Sequence, residues 1–300
     1  MKVAALDLGS NSFLLLLCEV TNHAVTKVFQ DEITVTRLAE GVHSNRKFSE
    51  AALQRAEACL SSYSKEILKF QPEKVLAFAT SAARDVTNKD ALFALGEKYG
   101  IPIKVIPGEK EADLTFAGAT YDKNDLEGVG VIDVGGGSTE IVGTENKGVK
   151  GVSVDVGSVR LTELFVGGDP VSASEISKME AYVIEKFGEK KHLLPKITNI
   201  IAVAGTPTTL STVIQKCDYS DEAVNGHVLD LAEVGALRDQ LAQMPLNDRK
   251  NIVGMDPKRA DVIVAGTTIL KVICEQLGMG EVIVSSRGVR FGMACLWDQL

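Results

Sequence analysis

Apolar positions in this chain change period several times. Val3 to Leu6 and Phe13 to Val20 are near-continuous apolar runs, which predicts two buried strands with residues 7–12 turning between them. From Ser49 to about Phe70 the spacing becomes helical, with Leu60 and Ile67 on the apolar stripe, Ser49 placed as N-cap and Pro72 as the break. Lys74 to Ala79 predicts a strand, Thr80 to Asp85 a loop opening into a helix, and Ala91 to Tyr99 a helix. Ile103 to Ile106 predicts a strand closed by Pro107-Gly108, and Glu109 to Ala119 a helix with acidic residues in its first turn, where the helix dipole favours them. After the polar stretch Tyr121 to Gly128, strands are predicted at Val129 to Ile132, Ile141 to Gly143 and Gly151 to Asp155. A helical and loop region over Val159 to Lys191 precedes a buried strand at Ile200 to Ala204 and a small-residue turn, Gly205 to Thr209. The last elements are a helix from Ala260 to Leu277, a strand from Glu281 to Ser285, a turn at Ser286-Arg287-Gly288 and a terminal helix through Trp297.

Two of these segments repeat each other. Asp7-Leu8-Gly9-Ser10-Asn11-Ser12-Phe13-Leu14-Leu15 aligns without a gap on Asp133-Val134-Gly135-Gly136-Gly137-Ser138-Thr139-Glu140-Ile141. In each copy an apolar run delivers an Asp to a Gly/Ser-rich turn, and a second β-type run leaves it. Glycines let backbone N–H groups converge on an anion, and small hydroxyls add donors without blocking it. Gly9, Ser10, Asn11 and Ser12 in one copy, and Gly135, Gly136, Gly137, Ser138 and Thr139 in the other, are therefore candidate phosphate-binding residues. An Asp at the strand end repels phosphate, so Asp7 and Asp133 are candidates for holding a cation. No Gly-Lys-Ser/Thr is present, and neither turn opens a helix, which sets aside the P-loop and the dinucleotide fingerprint.

Length and charge narrow the class. A chain of 300 residues fits about two domains of common size, divided near Tyr121 to Gly128 into 1–122 and 123–300. An apolar fraction of 45% supplies packed cores, and a net charge of −8 argues against broad adhesion to nucleic acid or anionic membrane. Five cysteines without Cys-x-x-Cys spacing read as reduced core thiols of a cytoplasmic protein. The four histidines form no metal-ligand pattern, and no apolar run reaches the ~20 residues of a membrane span.

Three further residues could carry chemistry. Glu140 follows the second turn and in a hairpin stands close to Asp133; a solvated strand residue is the competing reading. Glu111 lies in the first helical turn behind Gly108, where on sequence alone a simple dipole partner is the better account. Arg84 could grip phosphate oxygens with two parallel hydrogen bonds or form a surface ion pair. Gly205 to Thr209 is a weaker third anion or nucleotide cradle.

Residues 7–12, Gly108-x-x-Glu111-Ala112, Val131 to Glu140 and Ala204-Gly205-Thr206 together resemble the exopolyphosphatase/guanosine pentaphosphate phosphohydrolase family, and Arg259 to Gly266 is similar to a further stretch of it. The resemblance implies an α/β fold with two ribonuclease-H-like domains of the actin-like, sugar-kinase-like ATPase superfamily facing a central cleft, in the short two-domain form. It implies that Glu111 activates the attacking water, that Asp133 and Glu140 are associated with a divalent cation such as Mg²⁺, and that Arg84 faces the substrate phosphates. The expected activity is hydrolysis of terminal phosphoanhydrides of inorganic polyphosphate. Guanosine pentaphosphate or another nucleotide is the alternative substrate, and a silent polyphosphate or alarmone sensor the alternative role. No nucleic acid or membrane partner is expected, and a homodimer is compatible with the sequence. Asp113 and Phe291 depart from the family pattern, where an Arg and an acidic residue are common, and bear on substrate preference.

Overall fold

The computed structural model describes residues 1–145 and 148–300. The chain forms two compact units, the first made of residues 1–124 together with 288–300, the second of residues 125–287.

Unit 1 is built on a five-stranded mixed sheet of β1 (Lys2–Leu8), β2 (Ser12–Thr21), β3 (Ala24–Val35), β4 (Lys74–Ala79) and β5 (Ile103–Val105), in the order β3-β2-β1-β4-β5. The β1, β2 and β3 strands form an antiparallel meander, and β4 and β5 run parallel to β1. Apolar side chains leave both faces of β1: Ala4, Leu6 and Leu8 face one core cluster, Val3 and Ala5 another. The long helix Glu50–Phe70 covers the first cluster through Ala56, Leu60, Tyr63 and Ile67. It begins where the Ser49 hydroxyl accepts from the Ala52 N–H at 3.1 Å and ends at Gln71, in left-handed backbone before Pro72, which cannot continue a helix. Helices Gly108–Thr120 and Val289–Cys295 serve the second cluster. They meet at backbone distance, because a Cβ on Gly292 would lie 1.8 Å from the Leu114 carbonyl oxygen and one on Gly118 2.1 Å from that of Gly288. Residues 288–300, expected to close the second half, thus pack in unit 1, where Val289, Phe291 and Met293 find their apolar partners.

Unit 2 repeats this sheet and adds a strand. Its order is β10-β11-β9-β6-β7-β8, with β6 (Val129–Val134), β7 (Thr139–Glu145), β8 (Gly148–Val154), β9 (Asn199–Val203), β10 (Val228–Asp230) and β11 (Glu281–Val284). The β6–β7–β8 meander corresponds to β1–β2–β3, β9 and β11 follow in parallel as β4 and β5 do, and β10 is the antiparallel addition. The strand order repeats along with the turn motif. Gly205 to Thr209, expected as a turn, is the first turn of helix Gly205–Gln215. Pro207 is tolerated there because the first N–H groups of a helix have no intrahelical acceptor.

Candidate active site

Both phosphate-type turns close in the same way. The Gly9 N–H donates to the Ser12 carbonyl at 3.0 Å, and the Gly135 N–H donates to the Ser138 carbonyl at 3.0 Å. The first turn is braced from behind. Thr36 and Arg37 donate their N–H groups to the Asn11 carbonyl at 3.0 and 2.9 Å, and the Ala39 N–H reaches the Ser10 carbonyl at 2.9 Å. Ser10 Oγ, Asn11 Nδ2 and Thr36 Oγ1 are buried without a hydrogen-bond partner. Unsatisfied buried donors cost about 1–3 kcal/mol each, and an anion is a natural acceptor for them.

The second turn rests on the start of helix Ser158–Phe165. The Val159 and Arg160 N–H groups donate to the Gly136 carbonyl at 2.9 and 3.1 Å, and Arg160 Nε donates to the Gly137 carbonyl at 2.8 Å. Gly157 permits this approach, because a Cβ there would lie 2.4 Å from Gly136 backbone atoms. Ser138 and Thr139 spend their hydroxyl protons inside the protein, on Glu140 Oε1 at 2.9 Å and on the Val156 carbonyl at 2.7 Å. What these two residues have left to offer an anion is their backbone N–H groups.

Strand register decides what accompanies each Asp. Asp133 stands directly opposite Glu140. Asp7 stands opposite Leu14 on one side and Phe78 on the other. Glu140 is no solvated strand residue; it is 1% exposed, and its Oε1 also accepts from the Ser153 hydroxyl at 2.6 Å. Two carboxylates directly opposed on one face repel each other, and a cation between them removes that cost. Among the described residues no group of three or more His, Cys, Asp or Glu converges as a metal site. A pair of carboxylates nevertheless suits Mg²⁺, which commonly takes one or two from the protein and completes its shell with water and substrate phosphate. The pair fits such an ion, and Asp7 has no second carboxylate opposite it.

Glu111 and Arg84 meet in unit 1. Glu111 sits in the first turn of helix Gly108–Thr120 at 7% exposure, and Arg84 comes from helix Ser81–Asp85 beyond β4. Arg84 Nη1 donates to Glu111 Oε2 at 2.7 Å and to the Ile106 carbonyl at 3.0 Å. Burial pushes the Glu111 carboxyl above the ordinary carboxylate range, while the Arg84 guanidinium and the Thr80 hydroxyl pull the other way. A buried carboxylate of raised proton affinity, with its charged form supported by a neighbouring cation, is suited to taking a proton from water.

Sequence reasoning missed Thr80 and Ser153. The only signal for Ser153 is a lone hydroxyl between Val152 and Val154. Of the two departures, Phe291 is buried and stacked on Tyr121, with centroids 6.1 Å apart, so it serves the core. Asp113 is exposed, and its carboxyl is raised by partial burial.

A mixed sheet that occurs twice, each time with a Gly/Ser turn beyond its first strand, defines a duplicated α/β protein. Residues 16–298 match the Ppx/GppA phosphatase family, and the chain belongs to that family. It is 33% identical over 313 residues to Exopolyphosphatase 2 of Mycobacterium tuberculosis, which covers 98% of this chain and 97% of the relative. It is 36% identical over 297 residues to the bifunctional 3-dehydroquinate synthase/phosphatase of Fusobacterium nucleatum; that match covers 94% of this chain and spans only 44% of the longer relative. The crystal structure of the Aquifex aeolicus member of the Ppx/GppA family has a TM-score of 0.81 at 28% identity, covering 100% of this chain and 98% of the other.

Proposed function

We propose that this protein is a phosphoanhydride hydrolase that releases orthophosphate from the end of inorganic polyphosphate, with guanosine pentaphosphate as the alternative substrate. The observation that carries the reading is the contact of buried Glu111 with half-buried Arg84, a base beside a phosphate-seeking cation. The exopolyphosphatase name of the Mycobacterium relative favours polyphosphate.

In the proposed reaction, backbone N–H groups of the turns at Gly9 to Ser12 and Gly135 to Thr139 bind terminal phosphates. Arg84 turns from Glu111 to a phosphate oxygen, an exchange of one anion for another. Burial of Glu111 is then no longer opposed by that guanidinium, and the carboxylate takes a proton from the attacking water. The water oxygen bonds to the terminal phosphorus, the bridging P–O bond breaks, and the shortened chain leaves. Asp133 and Glu140 would hold the divalent cation, Mg²⁺ by choice, which when bound neutralises charge on the phosphoryl oxygens.

Among the described residues no helix is long and apolar enough to cross a membrane. The free cysteines Cys18, Cys59, Cys274 and Cys295 are buried, and Cys217 is half-buried. Burial pushes the Cys59 and Cys295 thiols up to about 11, which suits inert core thiols in the expected cytoplasmic setting.

The test is phosphate release measured in parallel from polyphosphates of several lengths, guanosine pentaphosphate and ATP. Fastest release from polyphosphate is expected. Binding without release from any of them at saturating Mg²⁺ makes the protein a sensor and ends the hydrolase reading.

A further inference from the structure

Register in unit 2 runs one row of side chains across three strands. Asp133 in β6 is opposite Glu140 in β7, and Glu140 is opposite Ser153 in β8. Directly opposed residues of antiparallel strands share a face, so the three side chains are neighbours. Glu140 Oε1 receives two hydroxyl donors, Ser153 at 2.6 Å and Ser138 at 2.9 Å. Ser153 is itself held, because its carbonyl accepts from Lys190 Nζ. Its hydroxyl therefore comes from a strand fixed on both sides, by the ladder to β7 and by a lysine from beyond helix Ala173–Gly188.

The duplicated sheet supplies a comparison within the molecule. The corresponding row in unit 1 is Asp7, Leu14 and Ile33. Where the middle position is apolar, the third position is apolar too; where it is a carboxylate, the third is a hydroxyl. The hydroxyl goes with the second carboxylate, not with the Asp or the glycine turn that both copies keep.

We propose that Ser153 is a positioning residue for the divalent cation. Its hydroxyl ties Oε1 of Glu140 and so fixes the rotation of that carboxylate on the face shared with Asp133. Outer partners of this kind set the orientation of metal-binding groups, and losing one typically weakens binding about 10–100-fold. This rests on the reading of Asp133 and Glu140 as the cation site.

The test is Mn²⁺ binding to the full chain without substrate, followed by the electron paramagnetic resonance signal of the free ion. It compares wild type, Ser153→Ala, Ser153→Thr and Glu140→Gln. Ser153→Ala is expected to weaken Mn²⁺ binding about tenfold or more, and Ser153→Thr, which keeps the hydroxyl, to restore it. The Mg²⁺ concentration for half-maximal phosphate release should rise by the same factor, with kcat at saturating Mg²⁺ unchanged. Unaltered Mn²⁺ binding by Ser153→Ala, with binding lost in Glu140→Gln, overturns the role of Ser153 and leaves the cation site standing. Wild-type binding by Glu140→Gln removes the cation site itself, and the positioning role with it. If Ser153→Ala fails to fold, Ser153→Cys keeps the volume, weakens the donor, and carries the same expectation and the same refutation.

Discussion

Replacing Arg84 with Met keeps most of the length of the side chain and removes its charge, which isolates what the guanidinium does for Glu111. The contact is 2.7 Å between Nη1 and Oε2. Unit charges centred about 4 Å apart interact by roughly 4 kcal/mol at an effective dielectric of about 20. The Arg84 side chain is 23% exposed and that of Glu111 9%, so solvent at the guanidinium leaves a fraction of that, on the order of 1 kcal/mol. Arg84 lowers the proton affinity of Glu111 against the larger effect of burial; without it, the carboxyl holds its proton to higher pH. The assay is kcat/KM against pH, because that ratio reports ionisations of the free enzyme. In Arg84→Met the whole profile drops through loss of a phosphate contact. Its acidic limb also moves to higher pH, so that on the limb the variant loses about a further fivefold relative to its own plateau. Ionisation of the substrate is common to both enzymes and cancels. A plateau that falls while the limb stays in place would refute the coupling and leave Arg84 a phosphate ligand only.

Glu111→Gln should cut turnover by roughly 10²–10⁴-fold with substrate binding largely kept, and near-normal turnover in the folded variant removes Glu111 as the base. The native Glu111 carboxyl titrates above its unfolded value of 4.5, so the native state keeps this proton longer than the unfolded chain does. Its contribution to stability is greatest in acid and is lost as pH rises through the native pKa. The Tm of Glu111→Gln minus that of wild type should therefore grow with pH, and a constant difference contradicts the burial argument. Asp133→Ala and Glu140→Ala should each raise the Mg²⁺ requirement for phosphate release by about tenfold or more, and full activity in excess chelator removes the metal from the mechanism. Gly292→Ala places a Cβ 1.8 Å from the Leu114 oxygen, a backbone atom that cannot swing aside. A loss of about 1–3 kcal/mol is expected by chemical denaturation, and an unchanged midpoint means that the two helices separate freely.

What the sequence disclosed depended on how strongly burial marks a residue. The strands β1, β2 and β6 were legible because their apolar runs are buried on both faces, and the duplicated turns because Asp, Gly and Ser recur at the same offsets. The β3 strand was not. Its residues 26–29 are all exposed, and it is a strand because β2 offers it a ladder. Helix Leu231–Gln243 also escaped, although Asp230, which caps it by accepting from the N–H groups of Ala232 and Glu233, stands three residues before Glu233 in a readable helix-start pattern. The pairing of Asp133 with Glu140 followed from the hairpin, but the burial of Glu140 did not. A charged residue in a strand reads as solvated until a third strand is laid beside it. Nothing in the apolar residues of helix Val289–Cys295 says which sheet they cover.

The discontinuity of unit 1 orders the events of biosynthesis. Unit 2 is a continuous segment and can close its sheet once residue 287 has left the ribosome. Unit 1 begins earlier in the chain but cannot finish until residues 288–300 arrive to cover the β1–β2 face and to press Gly292 against Leu114. Domains fold as units during synthesis, so the N-terminal strands emerge first and mature last. Until then Val3, Ala5, Leu16 and Phe78, four side chains of the core face that the last helix covers, stay exposed to water and to neighbouring nascent chains. A stop codon at position 288 therefore harms the unit that carries Glu111, although every strand of that unit has already been made.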